Sequence, residues 1–172
     1  NKSPQVVVIL DNQVTAMTGH QPSPSTAMKD KKAIIIEDVV KGLGIGFVRV
    51  IDPFKIDEVR RSINEAIKYV KEKRMPAVII ARRKCALVIL RELRRMGMVL
   101  KPCYVEQEEC IGCGTCYNWF ACPAITKMGK NNKAVIDPSL CVGCGACISV
   151  CPVNAIKPPK GMELRKLRDV WR

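Results

Sequence analysis

The stretch VVVILDNQVTAMTGHQPSPST, Val6 to Thr26, decides how the front of this chain is read. Its first residues, Val6 to Leu10, are uninterruptedly apolar and mostly β-branched, and the run stops at Asp11-Asn12. A short continuous apolar run closed by turn residues is the pattern of a parallel strand buried on both faces. The segment from Asp11 to Lys32 is polar, rich in Pro, Ser and Thr, and contains His20, the only histidine of the chain. Connections of that length in a compact domain are functional or disordered. Asn12 stands just past the strand, where a side-chain oxygen and nearby carbonyls suit a hard cation such as Mg²⁺. Asn and Asp also favour turns on their own account.

Working outward, Ile36 to Leu43 reads as a short helix, with Glu37 and Asp38 at its positive end and Gly44 as its stop. Phe47 to Ile51 is a second strand, followed by Asp52-Pro53. Ile56, Val59, Ile63, Ala66, Ile67 and Val70 repeat at helical spacing, with acids in the first turn and Lys71, Lys73 and Arg74 in the last. Pro76 precedes a third strand, Ala77 to Ala81. Leu87, Leu90 and Leu93 open a further amphipathic helix that stops at Gly97. Alternating strands and helices indicate an α/β unit with a parallel sheet. Ligands of such sheets sit beyond the carboxyl ends of the strands, which is where the Asp11 loop lies.

The texture changes near Gly97–Lys101, giving expected divisions at residues 1–100, 101–158 and a basic tail, 159–172. Leu164, Leu167, Val170 and Trp171 share one face of a helix in that tail, which suits packing on its own domain or on another subunit better than on a membrane. No apolar run approaches the ~20 residues that span a bilayer. Lys and Arg number 29 against 16 Asp and Glu, a formal charge of +13. The basic surface either steers an acidic protein partner or reflects heat adaptation and subunit contacts. Aromatics do not interleave with the basic runs, so nucleic acid is not expected.

Eight of the ten cysteines fall between Cys110 and Cys151 in two aligned halves, ECIGCGTCYNWFACPAITK and LCVGCGACISVCPVNAIKP. The second half is C-x₂-C-x₂-C-x₃-C-P, the run that holds [4Fe–4S] clusters in bacterial ferredoxins, where the fourth cysteine serves the other cluster. One cluster would take Cys110, Cys113, Cys116 and Cys151; the other, Cys141, Cys144, Cys147 and Cys122. This gives an α+β ferredoxin-like module with two clusters, and thiolate chemistry places the chain in a reducing compartment, the cytoplasm. Five residues separate Cys116 from Cys122 where three separate Cys147 from Cys151, yet Ala124-Ile125 and Ala155-Ile156 stay in register. A bulge at Asn118–Phe120 is therefore expected. Cys85 and Cys103 lie outside the repeat and read as buried structural residues.

The string VVVILDNQVTAMTGHQPSP, the Asp52-Pro53-Phe54 triplet and PAVIIARRKCAL closely resemble the thiamin-diphosphate-binding part of the large (alpha) subunits of indolepyruvate:ferredoxin oxidoreductases, within the 2-oxoacid:ferredoxin oxidoreductase family. The resemblance covers nearly the whole chain. It implies a partial thiamin-diphosphate-binding domain in which Asn12 gives a side-chain oxygen and Val14 a carbonyl to Mg²⁺ on the diphosphate. Asp11, Asn12, Val14, Thr15, Thr18, Gly19 and Gln21 would form the cofactor site. His20 would approach the reacting carbon or the substrate carboxylate; a histidine merely bonded within the loop is the other reading. Met17 stands where related pyruvate enzymes carry a polar residue.

The implied activity is oxidative decarboxylation of aryl 2-oxoacids with coenzyme A, electrons leaving through the clusters to ferredoxin, in a complex with a second (beta) subunit. An electron-transfer subunit without carbon chemistry, and an enzyme of pyruvate or 2-oxoglutarate, are the alternatives. The family's metal site also uses an aspartate from a Gly-Asp motif, which no residue from Asn1 onward provides. The expectation is that this chain is the C-terminal part of a longer one.

Overall fold

The computed structural model describes residues 3–26 and 32–171. The part of the front loop at 27–31 lies outside the described residues. The chain forms two compact units, one up to Val88 and one from Ile89 onward.

The first unit contains β1 (Val6–Asp11), α1 (Ile36–Gly42), β2 (Phe47–Ile51), α2 (Ile56–Lys73) and β3 (Ala77–Arg82). The strands pair in the order β1-β3-β2, all parallel, with Val6 and Phe47 both opposite Ala77. Side chains alternate between the faces of a strand, so β3 divides its apolar residues between two layers. Ala77, Ile79 and Ala81 pack with Ile51 and with Ala66 of α2. Val78 and Ile80 pack with Val40 of α1. A helix thus covers each face, as the expected α/β layering requires. Helix α2 ends at Arg74, which adopts a left-handed conformation (φ 54°) and donates its N–H to the Val70 carbonyl at 3.0 Å.

Strand β1 departs from expectation. Its residues are largely exposed, and Leu10 retains 81% of its accessible surface. Among the described residues it pairs on one side only, with β3, so it is an edge strand and its apolar run is not buried on both faces.

The second unit contains β4 (Tyr104–Val105), β5 (Ile125–Met128), β6 (Lys133–Ile136), β7 (Ile156–Lys157) and α4 (Leu164–Val170). Two antiparallel pairs carry the internal repeat. Ile125 faces Ile136 in β5–β6, and Ile156 faces Val105 in β7–β4. The equivalent residues of the two halves therefore occupy equivalent ladder positions.

The division between units falls earlier than the expected 97–101. The helix α3 (Ala86–Arg95) buries Ile89 and Leu93 in one core with Ile125, Ile156, Leu167 and Trp171. The repeat begins near Leu100, but packing begins inside α3, because the repeat is too small to cover its own apolar faces. The helix of the tail 159–172 packs on its own unit, one of the two placements expected for it. Leu167 and Trp171 are almost wholly buried, and Trp171 Nε1 donates to the Gly143 carbonyl at 3.2 Å.

Candidate functional site

The loop after β1 is built by local hydrogen bonds that its sequence dictates. Asp11 and Asn12 each form a turn through their own side chains: Gln13 N–H donates to Asp11 Oδ1 at 3.0 Å, and Val14 N–H donates to Asn12 Oδ1 at 3.1 Å. Such Asx turns are the local chemistry of short amide and carboxylate side chains. The Asn12 carbonyl accepts from Cys85 N–H at 3.1 Å, which ties the loop to the residues after β3.

Further on, Thr15 N–H donates to the Gln21 carbonyl at 2.9 Å and closes a small hairpin. Within it Thr18 Oγ1 donates to Gln21 Oε1 at 2.6 Å, and Gln21 Nε2 returns a bond to the Thr18 carbonyl. Thr18 and Gln21 are thus engaged with each other, shaping the loop. Gly19 (φ 113°) and His20 (φ 65°) turn the chain at the tip, where Met17 is 99% exposed. His20 Nε2 is buried and has no hydrogen-bond partner among the described residues. Such an orphaned polar atom marks a place where a bonding partner belongs.

At the carboxyl ends of β2 and β3 two arginines that sequence reasoning did not single out, Arg82 and Arg83, bind acids from other elements. Arg82 donates Nε to Asp11 Oδ2 at 2.6 Å and its two Nη groups to Glu37 Oε1 and Oε2 at 3.0 and 2.6 Å. Hydrogen bonding from Arg82 is the main reason the Glu37 carboxyl lies below its ordinary range. Arg83 donates Nη1 to Asp52 Oδ1 at 2.6 Å and stacks its guanidinium 3.7 Å from the Phe54 ring centre. Burial would raise the Asp52 carboxyl, but the Phe54 N–H and Arg83 outweigh it and hold it low. The Asp-Pro-Phe and Ala-Arg-Arg strings are one interlocked assembly. Consecutive arginines directly after a buried strand, facing acids at two other strand ends, were the available signal.

In the second unit the cysteines gather into two cavities. Cys110, Cys113, Cys116 and Cys151 line one. Cys122, Cys141, Cys144 and Cys147 line the other, together with Cys103. Each set combines three cysteines of one half with the fourth of the other. Among the described residues no group of three or more His, Cys, Asp or Glu is drawn close enough to hold a single metal ion. The thiols of each set instead share the wall of one cavity.

Backbone donors already point at the sulfurs. Ala134 N–H lies 3.4 Å from Cys110 Sγ and Ala155 N–H lies 3.2 Å from Cys151 Sγ. Burial raises the Cys116 and Cys144 thiols above their ordinary range. Clustered thiolates in such a wall need cationic iron to offset their charge, so the donor set fits the cluster in both number and chemistry.

Glycine is required where the loops wrap these cavities. A Cβ on Gly112 (φ 69°) would stand 2.4 Å from the Asn131 carbonyl, and one on Gly143 (φ 68°) 2.5 Å from the Lys101 carbonyl. The five-residue spacing before Cys122 is accommodated at the expected place. Residues Thr115–Trp119 form a wide π-type turn, whereas the equivalent Ala146–Val150 form a tight 3₁₀ turn.

Comparison with known proteins follows these two halves. Residues 1–81 match the C-terminal TPP binding domain of thiamine pyrophosphate enzymes, and residues 134–157 match the 4Fe–4S binding domain. The indolepyruvate oxidoreductase subunit IorA of Thermococcus kodakarensis is 42% identical over 163 residues, covering 93% of this chain and 25% of that protein. The same subunit of Archaeoglobus fulgidus is 43% identical over 168 residues, with 93% and 25% covered. That of Methanothermobacter thermautotrophicus is 35% identical over 163, with 92% and 24% covered. The chain belongs to the IorA family. It spans about a quarter of the length of these curated relatives. Thiamin diphosphate and [4Fe–4S] clusters are the cofactors of its two domain types.

The front loop offers oxygen donors at the carboxyl edge of the sheet. Asn12 is exposed, and its Oδ1 uses one lone pair on Val14 N–H, leaving the other free for a ligand. No described helix is long and apolar enough to cross a membrane.

Proposed function

We propose that this chain is the part of an indolepyruvate-type 2-oxoacid:ferredoxin oxidoreductase that anchors thiamin diphosphate through Mg²⁺ and carries electrons away through two [4Fe–4S] clusters. One observation carries this reading: an Asn12-bearing loop at the carboxyl edge of a parallel sheet and two four-cysteine cavities occur in one polypeptide. Thiamin diphosphate, when bound, supplies the electron sink for decarboxylating a 2-oxoacid, and the clusters accept the electrons singly.

The residues of this chain have separable tasks. Asn12 Oδ1 and the Val14 carbonyl hold the cation, with the Asx turn keeping the two at fixed spacing. Asp11, locked to Arg82, fixes where the loop leaves the sheet. Thr15, Thr18, Gly19 and Gln21 hold the loop's shape over the cofactor. His20, at the tip of that loop, has a buried Nε2 without a partner, and a turn of its ring would bring that nitrogen to the substrate carboxylate. Cys110, Cys113, Cys116 and Cys151 ligate one cluster; Cys122, Cys141, Cys144 and Cys147 ligate the other.

The substrate is an aryl 2-oxoacid such as indolepyruvate, with coenzyme A as acyl acceptor, ferredoxin as electron acceptor and a second subunit completing the complex in the cytoplasm. The similarity to IorA proteins supports the aryl substrate over pyruvate or 2-oxoglutarate.

The test is Asn12→Ala in the full-length enzyme. Mg²⁺-dependent retention of thiamin diphosphate should fall at least tenfold, the ~1.4 kcal/mol lost with one charge-assisted contact, while iron content is unchanged. Undiminished retention would remove the metal assignment. An electron-transfer subunit would show the clusters but no cofactor binding at all.

A further inference from the structure

The internal repeat exposes a difference between its two cavities. When Cys110 is set on Cys141, Cys103 falls on Ala134, and the strand ladders keep the same register, Ile136 with Ile125 and Val105 with Ile156. The neighbouring contacts repeat as well. Asn131 and Asn132 crowd Gly112 as Leu100 and Lys101 crowd Gly143. Ala134 N–H donates to Cys110 Sγ, and Cys103 N–H donates to Cys141 Sγ. Both residues are 3% exposed. At this position the backbone contacts repeat and the side chain differs, a methyl in the first half and a thiol in the second; the first half has its own side-chain donor elsewhere, Thr115 Oγ1 3.4 Å from Cys113 Sγ, where the second has Ala146. The Cys103 thiol lines the second cavity together with Cys122, Cys141, Cys144 and Cys147.

We propose that Cys103 is a potential-setting residue of the second cluster, a fifth sulfur in its cavity that does not ligate iron but donates its one S–H to a ligand sulfur, a donor the first cluster lacks at the equivalent position. The inference rests on the ligand assignment under Proposed function. Hydrogen bonds to cluster sulfurs stabilise the more negative, reduced state and raise the reduction potential. The segment bearing Cys103 is held in place by the pairing of Tyr104 with Lys157 and by Lys101 against Gly143, so its sulfur cannot readily swing away. Ser would keep a donor at this position. Ala would reproduce what Ala134 already does in the first half.

The experiment is an anaerobic redox titration followed by electron paramagnetic resonance on the full-length enzyme complex, as wild type, Cys103→Ala and Cys103→Ser. Iron is measured in each, and the second cluster's signal is identified as the one lost in Cys122→Ala. The expected result is about eight irons per chain in all three proteins. The second cluster should shift to lower potential in Cys103→Ala and by less in Cys103→Ser, with the first cluster unmoved. Unchanged potentials in Cys103→Ala, or loss of a cluster's iron from it, would overturn the proposal. Fewer than eight irons in the wild type would instead overturn the two-cluster assignment itself.

Discussion

Replacing Arg82 with Met tests how the cofactor loop is tied to the sheet. Arg82 joins Asp11, at the end of β1, to Glu37, in the first turn of α1, through three hydrogen bonds of 2.6–3.0 Å. The side chains of Arg82, Asp11 and Glu37 are 28%, 5% and 21% exposed. Removing one partner of a buried ion pair costs about 3–5 kcal/mol, because the other charge stays buried. Glu37 can turn to water and Asp11 keeps the Gln13 N–H, so the figure here falls to about 2–3 kcal/mol. Met preserves most of the aliphatic stem, which keeps the packing loss small.

Hydrogen exchange in the full-length protein reads the effect directly. Amides of β1 and β3 should exchange roughly 30- to 160-fold faster in Arg82→Met, if they open with the unit. Adding Asp11→Asn should recover about 1–2 kcal/mol, since the stranded charge is then gone. Exchange within threefold of wild type, or strict additivity of the two substitutions, would refute the view that this triad holds the loop.

Three further outcomes follow from the same geometry. Cys122→Ala should lower iron from about eight to about four per chain and spare the cluster ligated by Cys110, Cys113, Cys116 and Cys151; loss of that cluster instead would refute the exchanged fourth ligands. Gly112→Ala, which sets a Cβ 2.4 Å from the Asn131 carbonyl at φ 69°, should destabilise the second unit by about 1–3 kcal/mol in denaturant unfolding and speed iron loss from the first cluster. Glu37 and Asp52 have depressed folded values, so their contribution is complete above their unfolded values of 4.5 and 3.8 and is lost as pH falls through the lower folded ones. Protection factors in β1–β3, which remove the intrinsic pH dependence of amide exchange, should therefore fall on acidification below about pH 4.5, less steeply in Arg82→Met.

What could be read from sequence divides by the range of the interaction. Strand β3 and helix α2 were legible because apolar alternation and helical spacing are local, and burial of Ile79, Ile80 and Ala66 follows from them. The cysteine grouping was legible because a repeat carries its own alignment. Strand β1 is parallel as expected, but a continuous apolar run says nothing about how many neighbours pair with it, and among the described residues Leu10 is exposed. The Arg82 and Arg83 contacts depend on which strand ends lie side by side, and the order β1-β3-β2 is not written in any one segment. The unit boundary inside α3 has the same origin: Ile89 and Leu93 are ordinary helix residues until the core that receives them is assembled.

The irregular half of the repeat shows why its fold tolerates unequal spacing. Strand faces alternate with period two, so an odd change in length would turn the apolar residues of β5 outward. The extra residues before Cys122 number two, and the loop after Pro123 is shorter by the same amount, which returns Ile125 to the position of Ile156. The turn absorbs the added length by widening. Phe120 N–H reaches back five residues to the Thr115 carbonyl at 2.9 Å, whereas in the other half Ile148 N–H reaches back three to Gly145 at 3.1 Å. Ala121, at φ 52°, then redirects the chain so that Cys122 lines the second cavity. Trp119 is carried outward on the widened turn and is 87% exposed. The constraint on this half is thus the position of two fixed points, Cys116 and Cys122, and the backbone between them is free to vary so long as the parity of the following strand is kept.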